Sequence, residues 1–147
     1  MTAGHDYIGV GVGAIVLDSD GKAFFAKRGS AATNERGLWE FPGGGVQYGE
    51  RLADALIREF LEEYGMRIEI IEPLGFFDHI LPEEKQHWVT ATFIARHVGG
   101  TPSILEPQKC AAIGWFPLSA PPAPLSKITE ANLKSYRAKG GNLCSDS

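Results

Sequence analysis

Three glutamates, Glu59, Glu62 and Glu63, stand at positions i, i+3 and i+4 of a segment in which Ala53, Leu56, Ile57, Phe60, Leu61 and Tyr64 recur with helical spacing. At about 100° per residue the three carboxylates share one stripe that points largely away from the apolar side. Glutamates on a helix are ordinarily a solvated face. No Lys or Arg falls on this stripe, however, and like charges at such spacings cost about 0.2–0.5 kcal/mol per pair, so a positive partner from elsewhere is expected. Oxygen ligands with no neighbouring cysteine or HxxxH pair suit Mg²⁺, or Mn²⁺ in its place, better than zinc. Mg²⁺ keeps several waters and completes its shell with a few carboxylates and substrate phosphates, which points to a phosphorylated substrate. Gly43, Gly44 and Gly45, just before the helix, offer a backbone that can approach phosphate or turn a carbonyl toward an ion.

The whole segment 44–66, GGVQYGERLADALIREFLEEYGM, resembles the Nudix box: a glycine, five residues, Glu, seven residues, then Arg-Glu-bulky-x-Glu-Glu-x-Gly-bulky. Gly44, Glu50, Arg58, Glu59, Phe60, Glu62, Glu63, Gly65 and Met66 each meet it, a coincidence on the order of one in ten million by residue frequencies. Phe60 is aromatic where the family more often has an aliphatic residue, which touches packing and not ligation. Outside the box, Lys27-Arg28 and Trp39-Glu40-Phe41-Pro42-Gly43-Gly44 resemble the approach to it in nucleotide-cleaving members. Glu106-Pro107-Gln108-Lys109-Cys110 and Gly114-Trp115-Phe116-Pro117 resemble the following segment of the triphosphate-hydrolysing branch. The resemblance implies an α/β fold, the Nudix α/β/α sandwich with a mixed β-sheet. It implies Glu59, Glu62, Glu63 and the Gly43 carbonyl around divalent ions, with Glu59 either ligand or general base. It further implies Glu50 as an outer or second-metal acid, Arg58 orienting Glu59, and Glu106 as an acid supplied from outside the helix.

The elements that must position these groups follow from pattern. Residues 8–17 are β-branched and apolar, a turn at 18–21 follows, and 23–27 continues as a hairpin partner. Residues 28–37 form a polar loop and 50–64 the amphipathic helix, with Gly65 where a helix ends. Residues 67–77 and 87–95 read as strands around a polar loop at 82–86, and 111–117 as another strand. Residues 127–139 read as a closing helix with Ser126 as N-cap and Gly140 beyond its end. The Pro-rich patch at 121–124 is a rigid connector within one domain spanning 1–147, whose ordered core runs from about residue 6 to 139.

Composition excludes several classes. With 147 residues the chain can bury roughly 70% of its unfolded surface in a single core. A net charge of -4, with 14 scattered Lys and Arg, argues against long nucleic acid as partner. No run reaches the roughly 18 apolar residues of a membrane span, and Cys110 and Cys144 do not resemble a disulfide framework, so a cytoplasmic protein is expected. Gly9, Gly11, Gly13 and Ala14 match G-x-G-x-x-A by letters, but no strand precedes them and a strand follows. Read as a strand, those glycines face one side and leave a slot for a helix or a flat base. Phe76, Phe77, His79, His87 and Trp88 border two strands, and Phe77, His79, His87 and Trp88 are candidates to hold a base, although such rings are more often core or dimer contacts. Arg28 and Arg36 flank the loop before the box and are candidates to grip phosphate, although a surface Arg is usually solvated. The expected activity is Mg²⁺-dependent cleavage of a (deoxy)nucleoside triphosphate to monophosphate and pyrophosphate. Hydrolysis of ADP-ribose or another nucleoside diphosphate linked to a second group, and nucleotide sensing without turnover, are the alternatives. A homodimer is left open.

Overall fold

The computed structural model describes residues 1–141; Cys144 lies outside them. The most apolar run becomes the central strand β1 (Gly9–Leu17), whose alternation sends Val12, Ala14 and Val16 to one face and Ile15 to the other, both covered. At the following turn Asp18 Oδ1 accepts the backbone N–H groups of Asp20 and Lys22, each at 2.9 Å, and returns the chain into β2 (Ala23–Arg28). The expected hairpin pairs only at its base, Leu17 opposite Ala23. Beyond it the strands part, because β4 (Gly43–Gly45) lies against residues 11–13 of β1, where a continuing β2 would run. β2 pairs instead with β3 (Trp39–Glu40) and β7 (Cys110–Phe116). On its other side β1 runs parallel to β6 (Gln86–Gly99) over its full length, and β6 is antiparallel to β5 (Arg67–Leu81).

Helix α1 (Leu52–Tyr64) covers one face of this mixed sheet, packing Ala55, Leu56, Phe60 and Tyr64 on Phe24, Ala26 and Met66. Helix α2 (Lys127–Tyr136) covers the other, with Leu133 and Tyr136 against Ile15, Phe25 and Phe41. The α/β/α sandwich with a mixed sheet is therefore the observed fold. Gly65 ends α1 at φ 68° and Ser126 Oγ accepts the Thr129 N–H at 3.4 Å, as expected of a C-terminal glycine and an N-cap. The glycines at residues 9–13 lie inside a strand with no helix after it, which excludes a dinucleotide loop. Among the described residues no helix is long and apolar enough to cross a membrane.

Several expectations need correction. β5 and β6 are longer than the segments 67–77 and 87–95, and only residues 82–85 turn. Gln86 is buried in the strand, not in the loop, because its amide is fully engaged: Asn34 Nδ2 and Trp88 Nε1 donate to it at 2.8 and 3.0 Å, and it donates to the Thr33 carbonyl at 3.3 Å. Helix α1 begins at Leu52, two residues late, since Glu50 turns to meet Arg58. Helix α2 stops at Tyr136 and gives way to a π-helical turn, Arg137–Gly141, so Gly140 lies within that turn and not beyond it; two glycines there disfavour continued α-helix. Most consequential for the site, the buried stripe of α1 excludes Ile57 and Leu61, which are exposed. The ring contacts of Phe60 and Tyr64 with Phe24, at centroid distances of 6.4 and 5.1 Å, set the helix rotation, turn Glu59 and Glu63 inward and leave Glu62 outside.

Phe60→Ala is therefore expected to lower unfolding free energy by about 3–5 kcal/mol in denaturant titration, and a loss under about 1 kcal/mol would contradict this packing role.

Candidate active site

The glycine segment lies against both β1 and helix α1. A Cβ on Gly43 would overlap the Val12 carbonyl oxygen, and a Cβ on Gly44 would overlap the Glu59 carboxyl group. Without those Cβ atoms β4 pairs tightly on β1, and the Glu59 side chain, 15% exposed, lies against the Gly44 backbone. Arg58 braces this corner. Its Nε and Nη2 donate to the two Glu50 oxygens at 2.6 and 3.0 Å, its Nη1 to Glu59 at 3.1 Å and to Glu62 at 3.2 Å, and its Nη2 also to the Gly45 carbonyl at 3.3 Å. The expectation that no cation neutralises the acidic stripe is thus wrong in part: Arg58 sits one position away from Glu59 but reaches forward along the helix, its planar fork serving several acceptors. Glu50, with both oxygens on Arg58 and Oε1 also accepting the Gln47 N–H at 3.1 Å, is held below the ordinary carboxylate range by Arg58. Its place is that of a brace for the loop.

Glu63 is in the opposite condition. Burial pushes its carboxyl up to about 8, and the charges of Glu59, Glu40 and Glu106 add to that against the pull of Lys109. Burial also raises Glu59, against the opposing charge and hydrogen bond of Arg58. Among the described residues no ion pair includes Glu63. A buried carboxylate crowded by three others is a place where a cation is favourable, and an all-oxygen donor set fits a hard divalent ion. No three acidic, His or Cys side chains among the described residues close into a ready cage. An open arrangement suits an ion that takes one or two carboxylates and fills the rest of its shell with water and substrate phosphate.

Two cavities of about 200 and 210 Å³ adjoin here and share Arg28, Thr33, Glu40 and Gly43. The acidic one holds Glu63, Glu106 and Lys109, so Glu106 and Glu63 are brought together from 43 residues apart in sequence. The other is floored by Gly11 and Gly13 and walled by Asn34, His79, Trp88 and Asn132. The slot read from the glycines of β1 exists in part: the Trp88 ring fills the space over Gly9, while Gly11 and Gly13 stay open to the cavity.

Other candidates are placed differently. Arg28 lines both cavities, but its Nη1 donates to Glu40 and its Nε to the Asn34 carbonyl, so it serves internal partners. Exposed Arg36 donates Nε to the Ala32 carbonyl at 2.7 Å and lines neither cavity. His87 faces away: strand alternation sets it opposite Trp88, in a separate hollow with His5 and Tyr7, its Nε2 buried without a partner. Phe77 shares the His79 face of β5 but is half-buried two residues along, outside the cavity lining. Glu40, Glu35, Asn34 and Asn132 were missed. Glu40 could have been found, since alternation in Trp39-Glu40-Phe41 puts an acid opposite two rings just before the glycines. Burial raises its carboxyl despite Arg28.

The NUDIX domain family model matches residues 8–138. The chain belongs to the Nudix hydrolase family. RNA pyrophosphohydrolase from Teredinibacter turnerae is 27% identical over 91% of this chain and 88% of its own length. CTP pyrophosphohydrolase from Escherichia coli is 41% identical, over only 40% of this chain and 43% of its own. The crystal structure of MutT NUDIX hydrolase from Burkholderia pseudomallei matches with a TM-score of 0.82 and 35% identity, covering 88% of this Nudix chain and 98% of that one.

Two glycine variants should separate fold from site. Gly43→Ala meets a backbone oxygen and is expected to lose β4 pairing and melt early. Gly44→Ala meets only the end of a flexible side chain, so it should fold normally while hydrolysing nucleotide at least about tenfold more slowly, about 1.4 kcal/mol. Equal activity of Gly44→Ala and wild type would remove Glu59 from the site.

Proposed function

We propose that this Nudix hydrolase is a Mg²⁺-dependent pyrophosphohydrolase of (deoxy)nucleoside triphosphates, releasing nucleoside monophosphate and pyrophosphate. The observation that carries the reading is the pair of adjoining cavities, one acidic and one lined by amides and rings, meeting at Gly43. The base and sugar enter between Trp88, His79 and Asn132, and the phosphates extend past Gly43 toward Glu63 and Lys109. Glu59, Glu62, Glu63 and the Gly43 carbonyl hold the divalent ions, with Glu106 beside them. When bound, Mg²⁺ neutralises phosphate charge and makes water a stronger nucleophile. Glu59 or Glu63 accepts the proton of the attacking water, the water oxygen bonds to phosphorus, and the phosphoanhydride bond breaks toward the leaving phosphate group. Lys109, exposed at the rim, is the cation placed to steady the departing charge. Residues 67–141 are taken up by three strands, one α-helix, a π-helical turn and their connections, with no inserted unit to hold a second sugar.

A nucleotide panel with Mg²⁺ tests this. Turnover of a dNTP or NTP should exceed that of ADP-ribose by at least about tenfold in kcat/KM, about 1.4 kcal/mol, with monophosphate and pyrophosphate resolved by chromatography. Preference for ADP-ribose by that margin would overturn the substrate class. Glu63→Gln should cut turnover by orders of magnitude while its melting temperature without divalent ion stays unchanged, since an amide cannot supply charge to the ion; near-normal turnover would overturn the metal site.

A further inference from the structure

Outside the acidic cluster, one more carboxylate is buried in a place the proposed chemistry does not use. Glu35, in the loop between β2 and β3, has φ of 45°, left-handed backbone that a residue bearing a Cβ adopts at a cost. Its side chain is only 9% exposed. One carboxylate oxygen meets His79 Nε2 on β5 at 2.9 Å, and the other accepts the backbone N–H of Lys127, the first residue of α2, also at 2.9 Å. Burial alone would raise this carboxyl, but the hydrogen bonds from His79 and Lys127 and the nearby charges outweigh it and hold the group low. Glu35 is thus an ionised acceptor, toward which His79 Nε2 donates.

The three elements tied by this one carboxylate are three walls of the cavity assigned to base and sugar. The loop contributes Thr33 and Asn34, β5 contributes His79, and α2 contributes Ile128 and Asn132. The Asn34 side chain is anchored separately, its Nδ2 donating to Gln86, which in turn receives Trp88 Nε1. Glu35 itself is not part of the lining. A loop needing only left-handed backbone would be served better by Gly or Asn. Strained backbone persists where the surroundings over-determine it, and such places cluster at ligand sites.

We propose that Glu35 is a positioning residue for nucleoside recognition: it fixes His79, the Asn34 loop and the amino end of α2 around the cavity without touching the substrate. The inference rests on the proposed reading of that cavity. It predicts a change in binding separated from chemistry, because the Glu35 carboxylate bonds to His79 and to the Lys127 N–H and not to the acids of α1.

The probes are dGTP and CTP with Mg²⁺ for kinetics, and dGMP and CMP without divalent ion for calorimetric binding. Glu35→Gln should raise KM for the better triphosphate at least about fivefold with kcat within about twofold, and weaken monophosphate binding by a similar factor. Glu35→Gly, which relieves the left-handed strain, should keep the wild-type melting temperature and show the same KM shift. Glu69→Gln, at an exposed acid paired with Arg96, should change neither. KM and monophosphate affinity unchanged in both Glu35 variants, or kcat lost at constant KM, would overturn the proposal, as would a wild-type chain that binds neither monophosphate. Wild-type binding that depends on Glu35 without triphosphate hydrolysis would contradict the proposed function and support this inference.

Discussion

The backbone of β4 lies so close to β1 that Gly43 has no room for a Cβ, and the site is arranged around that contact. Tight pairing of residues 43–45 with 11–13 displaces β2 from β1, opens the sheet, and creates the corner between two sets of strands where the cavities lie. The same segment gives Glu59 its position, since only a glycine at 44 lets a helix carboxylate lie against the loop. Helix α1 then has one rotation that buries Phe60 and Tyr64 while bringing Glu59 and Glu63 inward. Packing on the apolar side therefore sets the chemistry on the acidic side, and the two cannot be tuned independently.

Electrostatics divide the acids into two groups. Glu50 bonds to Arg58 through both oxygens and Glu40 bonds to Arg28, which ties these two acids to the chain around them, while Glu59 and Glu62 share the other end of the Arg58 fork. Glu63 has no such partner among the described residues and is raised by burial and by Glu59, Glu40 and Glu106. The proposed metal site rests on that asymmetry: Glu63 is crowded by other acids where the fold supplies least compensation, a place that favours a cation.

The box was legible because its chemistry is local. Glu59, Glu62 and Glu63 are spaced by one helical turn, Gly65 marks the helix end, and both survive whatever the rest of the chain does. The apolar, β-branched runs of β1 and β2 were likewise legible as strands, although their pairing was not. What could not be read was long-range partnership. Nothing near Gln86 indicates that Asn34, 52 residues away, will satisfy its amide, nor does Glu35 advertise a left-handed backbone whose partners lie on β5 and α2. The inward rotation of Glu63 was missed for a related reason: Ile57 and Leu61 look as apolar as Leu56 and Phe60, and only the rings on β2 choose between them. The misplaced His87 shows the limit of reading aromatics as a group, because strand parity separates it from Trp88.

The divalent-ion site proposed at the buried acids Glu59 and Glu63 of α1 should exist in the folded chain before any nucleotide binds. The most direct test is the melting temperature of wild type and Glu63→Gln over a Mg²⁺ titration without nucleotide. Wild type is expected to be stabilised as the ion rises, by roughly 2.7 kcal/mol at about 100 times the dissociation constant, while Glu63→Gln gains markedly less. A wild-type melting temperature indifferent to millimolar Mg²⁺, or equal gains in both proteins, would contradict it.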